Sequence, residues 1–476
     1  MSDEGVTKVL ANFCAAHKFE DLPPEAVNET KRIMLDTIGC GLGGHGVDKG
    51  TMAVRVSQLT GGTPEASILG VKGKVAATTA AFANGELMNA LDWCPVMSPA
   101  HVPPFVLPPV FALAQARKLS GKDAIAAAAM GMEVSTRLGT ATGGLRAGKD
   151  GVPRRVWGLS SNSVAGTAAA GHLMRFDAHR MLHALGTSGY YAPLATHTKF
   201  NYTIEQGYAK YGPAGWIAQG AVTTAQLAEL GYHGDTTFLE GPYGFYVENG
   251  ADSWDPSKLT KGLGQDWMFR FVGYKLYPTC GIFQSSANIF QSLVDELKLQ
   301  PEEIEEIDVK VETIGTLPAY VSTEPNDHVE AASSAPFILA VIAHRIPRGP
   351  GMQAQSVIDD PAIRATMRKV RTSLNPRCEE LRHRDIVVEG LPYPRHRPGY
   401  IRIKARGGQV FERTADFCPW ISMDPDYRAT DEALAVKFRE NARIVLSEGK
   451  TERAIEMILN LEKMGDVSEL FEVLAD

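Results

Sequence analysis

A chain of 476 residues, 44% hydrophobic and 22% charged, is long enough for two or three domains with ample core and has an ordinary globular balance. Its net charge of −7 and pI near 6.0 argue against nucleic acid or an anionic membrane as a general partner, while leaving room for local positive potential in a pocket. No apolar run approaches the ~18–20 residues that span a bilayer; the acidic start MSDEGVTKVLANFCAAHKFEDL lacks signal or transit character; and Cys14, Cys40, Cys94, Cys280, Cys378 and Cys418 lack CxxC spacing, so reduced thiols in a cytoplasmic protein are expected.

In chain order, Val6, Val9, Leu10 and Phe13 share one helical face, and Leu22-Pro23-Pro24 ends that pattern. Val27, Met34 and Ile38 predict a second helix running into a glycine-rich stretch at Gly39–Gly44. Alanine-rich helical patterns follow over Lys72 to Leu91, Pro108 to Leu119, Lys122 to Leu138, Ser163 to Met174 and Ala178 to Leu185. Alanine faces allow close helix contact, so residues 1–270 are expected to form one all-helical domain without a fixed-period repeat. Beyond that, Ile307, Val309 and Val311 alternate with charged residues as a half-buried strand does. Asp385–Glu389 is a second expected strand, and Ile401–Lys404 with Val410–Arg413 flank Gly407-Gly408 as a hairpin. Ala332 to His344 and Pro361 to Val370 read as helices, so residues 271–415 are expected to be an α+β lid domain. From Thr430 the helical pattern returns, and residues 416–476 are expected to pack back on the first domain, which is then discontinuous. The predicted fold is mainly α, with a large all-helical domain and a smaller α+β one.

The segment from Ala83 to Val110 carries the most chemical information. Asp92 and His101 stand nine residues apart in a stretch nearly free of charge, where Pro95, Pro99, Pro103 and Pro104 break the helix and impose an irregular loop. A carboxylate and an imidazole on a rigid apolar loop suit acid–base catalysis; a helix-capping aspartate and a histidine satisfied by a carbonyl suit the same spacing. Lys210, between Tyr208 and Tyr211 and before a Gly-Pro-Ala-Gly turn, fits a carboxylate ligand, a desolvated base or a snorkelling surface lysine. Lys199, beside His197, is a second candidate of that kind. Arg146, Arg154 and Arg155 flank a glycine- and proline-containing loop suited to clamping carboxylates. Tyr274, Lys275, Tyr277 and Cys280 lie at the expected domain junction, a frequent place for ligands. Metal motifs such as HExxH and CxxC are missing; His179 and His183, four apart on a helix, suit a solvated face better than a metal site. GxGxxG, GxxxxGK[ST] and GxSxG are missing too, which weakens the dehydrogenase, nucleotide-binding and serine-hydrolase readings.

As an ordered set, MLDTIGCGLGG, AAFANGELMNALDW, AHVPPFVLPPVFALA, LHALGTSG, AKYGPAGWIAQGAV, LEGPYGFY, YKLYPTCGIFQSSANI, AASSAPFILAVIA and IRIKARGGQVFERTADFCPW resemble the MmgE/PrpD family over nearly the whole chain. That family includes enzymes that dehydrate 2-methylcitrate, decarboxylate cis-aconitate or epimerise iminodisuccinate. The resemblance implies a helical domain and a smaller α+β domain with the active site between them, usually in a homodimer and without a cofactor or metal. It implies catalytic roles for Asp92, His101 and Lys210, the last because it stands six residues before Trp216. Lys199 would need a longer gap before that anchor. Arg154, Arg155, Lys199, Tyr277 and Trp93 are the expected substrate contacts. Departures are also visible: Trp93-Cys94-Pro95-Val96 replaces an acidic, threonine-bearing stretch, Arg154–Gly158 lacks a histidine, and Pro213 stands where the lysine motif has one. The expectation is a lyase, with dehydration of a di- or tricarboxylic acid first and decarboxylation or epimerisation next. A non-catalytic metabolite-binding protein is the contrasting class, and Trp93 and Trp157 leave an aromatic carboxylic acid open as substrate.

Overall fold

A computed structural model describes residues 5–143, 160–192, 199–210 and 212–475. Helices Val6–Ala16, Pro24–Gly43, Asp48–Thr60, Ala77–Asn89, Pro103–Ala116, Gly121–Ala141, Ser161–Leu173, Ala178–Ser188 and Ala214–Glu229 make up the first half. Their starts follow local chemistry. Pro24 and Pro103 sit in first turns, where the missing N–H costs nothing, and Ser120 and Asp123 form a reciprocal capping box. Small residues let the helices approach closely. Ala127, Ala128 and Ala129 share one core with Ala165, Ala168 and Ala169, and a Cβ on Gly131 would come within 2.8 Å of the Ala165 carbonyl oxygen.

The expected helix from Lys72 starts only at Ala77. Gly70 and Gly73 adopt positive φ, and the turn they make pairs Val75 with Ala66, so turn geometry overrides the alanine pattern. After Ala178–Ser188 and Ala214–Glu229 the chain reaches a second core built on a four-stranded sheet: β1 (Ile304–Val311), β2 (Val370–Leu374), β3 (Gly399–Ala405) and β4 (Val410–Ala415). The order is β2-β1-β3-β4, with β1 and β2 parallel and the other pairs antiparallel. Ile307 pairs with Ile403 and Val309 with Ile401, and all four are buried beneath helices Gln284–Leu297 and Ala335–Ala343.

The fold is mainly α with a smaller α+β portion, as the sequence predicts, but one strand is misplaced. Asp385–Glu389 is no strand: Arg384–Val388 forms a π-helical turn, which leaves Val387 and Val388 exposed and commits Asp385 to His396. The missing strand is β2, sequence VRTSL. It lies at the sheet edge with only Val370 buried, so it needs no alternating apolar pattern. The preceding helix correspondingly stops at Met367, short of Val370.

Helices Asp431–Ala442, Glu448–Leu459 and Ser468–Val473 return to the first core, where Leu434, Phe438 and Ile458 pack with Ile38 and Leu42. The second core gathers residues from Leu276 to Met423, plus Val96 from the first half. No helix among the described residues is long and apolar enough to cross a membrane.

Candidate active site

The two cores meet around Asp92. Three residues after helix Ala77–Asn89 the backbone turns left-handed, with φ 52° at Asp92, a conformation that aspartate tolerates better than most residues. The following strand-like step pairs Val96 with Gly273 by two backbone hydrogen bonds of 2.9 and 2.8 Å, so this loop is tied directly to the segment entering the second core. That segment carries Lys275, whose ammonium donates to the Asp92 carboxylate at 2.7 Å and to its carbonyl oxygen at 2.6 Å. Trp93 lies wholly inside and donates its indole N–H to the Lys275 carbonyl at 2.9 Å, while Lys437 sits 4.9 Å from the centre of its ring. The indole donor is therefore committed to the protein.

His101 completes the arrangement. Its Nε2 lies 3.3 Å from the Asp92 carboxylate and its Nδ1 3.2 Å from the Cys94 sulfur. A carboxylate only accepts, which sets the proton of the neutral ring on Nε2 and leaves Nδ1 to accept from the thiol. Burial pushes the Cys94 thiol up to about 11, so the S–H remains to donate. Asn162, itself held by Ser135, donates to the His101 carbonyl at 3.3 Å and fixes the backbone.

Lys210 is buried at a second left-handed residue, φ 52°. Two non-glycine residues in this region at one site fit the pattern of local strain kept for function. Burial pulls the Lys210 ammonium down to about 8, although Asp92 opposes that shift. Burial alone would raise the Asp92 carboxyl, but Lys210, Lys275 and His101 more than offset it and hold the group well below the usual carboxylate range. A third ammonium, Lys49, acts on Lys210 and pairs with Glu86 at 3.2 Å and Asn89 at 2.8 Å. The centre is thus an ionised carboxylate, an imidazole and several lysines in a buried region of low dielectric, where charge interactions are strong.

Three of the expected residues, Asp92, His101 and Lys210, therefore stand together. Lys275 joins them as the direct partner of Asp92; the sequence places it at the junction but gives no sign of a pairing across 183 positions. Lys49, Cys94 and Glu86 were not singled out; Glu86 and Cys94 lie inside the Asp92 segment, whereas Lys49, 43 residues earlier, carries no sequence signal. Tyr277 is buried in the second core, where its N–H donates to Gln284 and burial raises its phenol far above the ordinary value. Lys199 is exposed. Arg146, Arg154, Arg155 and Trp157 lie outside the described residues. His179 and His183 stack edge to face at 4.6 Å, and no group of three or more metal-ligating side chains occurs among the described residues.

Comparison with known proteins places the chain in a family. The chain matches the MmgE/PrpD N-terminal domain over residues 8–252 and the MmgE/PrpD C-terminal domain over residues 277–463. It is 24% identical over 499 aligned positions to a cis-aconitate decarboxylase of Aspergillus terreus, covering 99% of this chain and 96% of that protein. Similarity to the cis-aconitate decarboxylase of Homo sapiens is 25% identity over 499 positions, 99% of this chain and 95% of the relative. That of Mus musculus is 25% identical over 492 positions, 99% and 93% respectively. Both halves of the chain match in order, and the chain belongs to the MmgE/PrpD family.

Proposed function

We propose that this protein is a lyase that decarboxylates a di- or tricarboxylic acid by acid–base chemistry without a cofactor. The family and its named relatives support an enzyme of the lyase class acting on a carboxylic acid. The observation that carries the acid–base reading is the Asp92 carboxylate, ion-paired to Lys275 at 2.7 Å and 3.3 Å from the His101 imidazole, under the field of Lys210.

In this reading a substrate carboxylate seats against the Lys210 ammonium, with Arg154 and Arg155 as further candidate contacts. The bond between the departing carboxylate and its carbon breaks, carbon dioxide leaves, and the electron pair stays on that carbon. The neighbouring lysines stabilise the developing negative charge. His101, oriented by Asp92, delivers a proton to the carbon and recovers one from solvent.

The expectation from sequence put dehydration first; the names of the relatives move decarboxylation ahead of it. Dehydration stays the second reading on a specific ground. It needs two proton-handling groups, and Lys210, pulled down to about 8, qualifies as the second.

The deciding experiment incubates the purified protein with cis-aconitate, citrate, 2-methylcitrate and related acids in deuterated water, followed by proton NMR and carbon dioxide trapping. Carbon dioxide release with one deuteron incorporated supports decarboxylation. A vinyl product with the carboxylates intact supports dehydration, and silence across the panel sinks the lyase reading. The homodimer implied by the family is part of the proposal, and light scattering of the intact chain checks it.

A further inference from the structure

The second core delivers a histidine toward the same centre. His328 opens the short helix His328–Ser333, whose N-cap Asp327 accepts from the backbone N–H groups of Val329 and Glu330. This helix is fastened to the segment bearing Lys210. Glu330 accepts from the N–H of Gln206 at 3.1 Å, and Val329 packs with Ala100 and Phe200 directly beside His101. The His328 ring meets Tyr208 edge to face at 5.0 Å, is 4% exposed, and its Nε2 makes no hydrogen bond to any described residue. A buried polar nitrogen left in that state is costly to the fold. Such a group calls for a partner, and a bound ligand is one that supplies it.

The electrostatic setting fixes which form of the ring is present. Burial first, then Lys210 and Lys49, pull His328 down to about 3, so it stays neutral at every working pH. It therefore serves as a hydrogen-bond group and not as an acid. Lys210 links the two ends of the region, acting both on Asp92 and on His328.

We propose that His328 is a substrate-binding residue whose neutral imidazole hydrogen-bonds, through Nε2, a second polar group of the polycarboxylic acid on the side opposite Asp92. This inference rests on the lyase reading and adds a specificity contact to it. A neutral ring adds no charge, so it selects for the position of the second group, and losing it leaves that group's bond unmade.

The test uses tricarballylate, a tricarboxylate with no double bond or hydroxyl to react, together with whichever acid the panel identifies. In the intact protein, the imidazole resonances assigned to His328 by their loss in His328→Phe should shift on tricarballylate addition. His328→Phe keeps the ring contact with Tyr208, and it should weaken tricarballylate binding and raise KM about tenfold, while His328→Gln restores part of both. A folded His328→Phe protein with wild-type affinity and KM overturns the inference. Should that variant fail to fold, the resonances are assigned instead by their loss in His328→Gln, and His328 resonances that tricarballylate leaves unshifted overturn the inference. A wild-type protein that neither binds tricarballylate nor turns over any acid overturns the lyase reading and this inference together. Turnover by wild type with no effect at His328 overturns this inference alone.

Discussion

Burial lowers the Lys210 ammonium from 10.5 to about 8, and this sets stability against use. The folded state binds that proton less tightly than the unfolded chain does. Below about pH 8 both states carry it, and the folded state bears the desolvation cost in full. Between about 8 and 10.5 the unfolded chain binds more protons, so stability rises with pH across that window. Lys210→Met should therefore be more stable than wild type at pH 7 by about 3 kcal/mol, with the advantage fading toward pH 10.5. It should also lose substrate binding, and wild-type kcat/KM should fall as pH rises through about 8. Denaturant unfolding at several pH values reads the first part; a variant less stable than wild type at pH 7 would show that the ammonium is net favourable where it sits. His101→Gln addresses the other half of the centre. Glutamine keeps a donor toward Asp92 but carries no exchangeable acid function, so turnover should drop at least about 100-fold with unchanged thermal unfolding. Retained activity would remove His101 from the mechanism.

Among the elements, close helix contact is the most demanding feature. Helices Gly121–Ala141 and Ser161–Leu173 approach at Gly131, where an added Cβ would meet the Ala165 carbonyl oxygen and the Ala169 methyl, both at 2.8 Å. Gly131→Val should cost about 1–3 kcal/mol by overpacking, visible as a lower Tm, while Gly449→Ala, in helix Glu448–Leu459 with nothing within 4 Å, should leave Tm unchanged or slightly raised. Equal Tm values for the two would mean that the helices part without cost. Glycine and alanine spacing thus made the helical half legible, because the 3.6-residue period and the small faces point the same way. The sheet was less so. β1 showed alternation, and β3 and β4 showed a hairpin around Gly407-Gly408, but β2 borrows its place from β1 and has one buried residue, so its sequence alone carries no strand signal. Asp385–Glu389 failed for the opposite reason: a β-branched run was read as burial, whereas Val387 and Val388 face solvent. The site divides in the same way. Asp92, His101 and Lys210 were legible because each lies in a family segment. The pairing of Lys275 with Asp92 and the approach of His328 exist only once two distant segments meet.

At the scale of the molecule, the centre depends on the two cores holding one relative position. Besides the Val96–Gly273 pairing, the Trp93 indole bond and the Asp92–Lys275 pair, the Gln353 side chain reaches both sides of the seam at once. Gln353, 2% exposed, donates from one amide nitrogen to the carbonyl oxygens of Leu91 at 3.0 Å and Pro278 at 2.6 Å. Leu91 precedes Asp92, and Pro278 follows Lys275 by three residues, so this one amide spans both strands of chain that carry the ion pair. Gln353→Leu keeps the volume close and leaves both carbonyls without that donor. The direct cost is about 1–3 kcal/mol for buried acceptors left unmade. The larger effect should fall on geometry, because a displacement of about 1 Å at a reacting group is enough to slow catalysis about 100-fold. The expected outcome is a large loss of kcat with a small change in Tm, together with faster amide hydrogen exchange at Val96 and Gly273, whose backbone bonds cross the same seam. A variant with normal kcat and unchanged exchange would show that the Asp92–Lys275 pair and the backbone bridge hold the cores in register without Gln353.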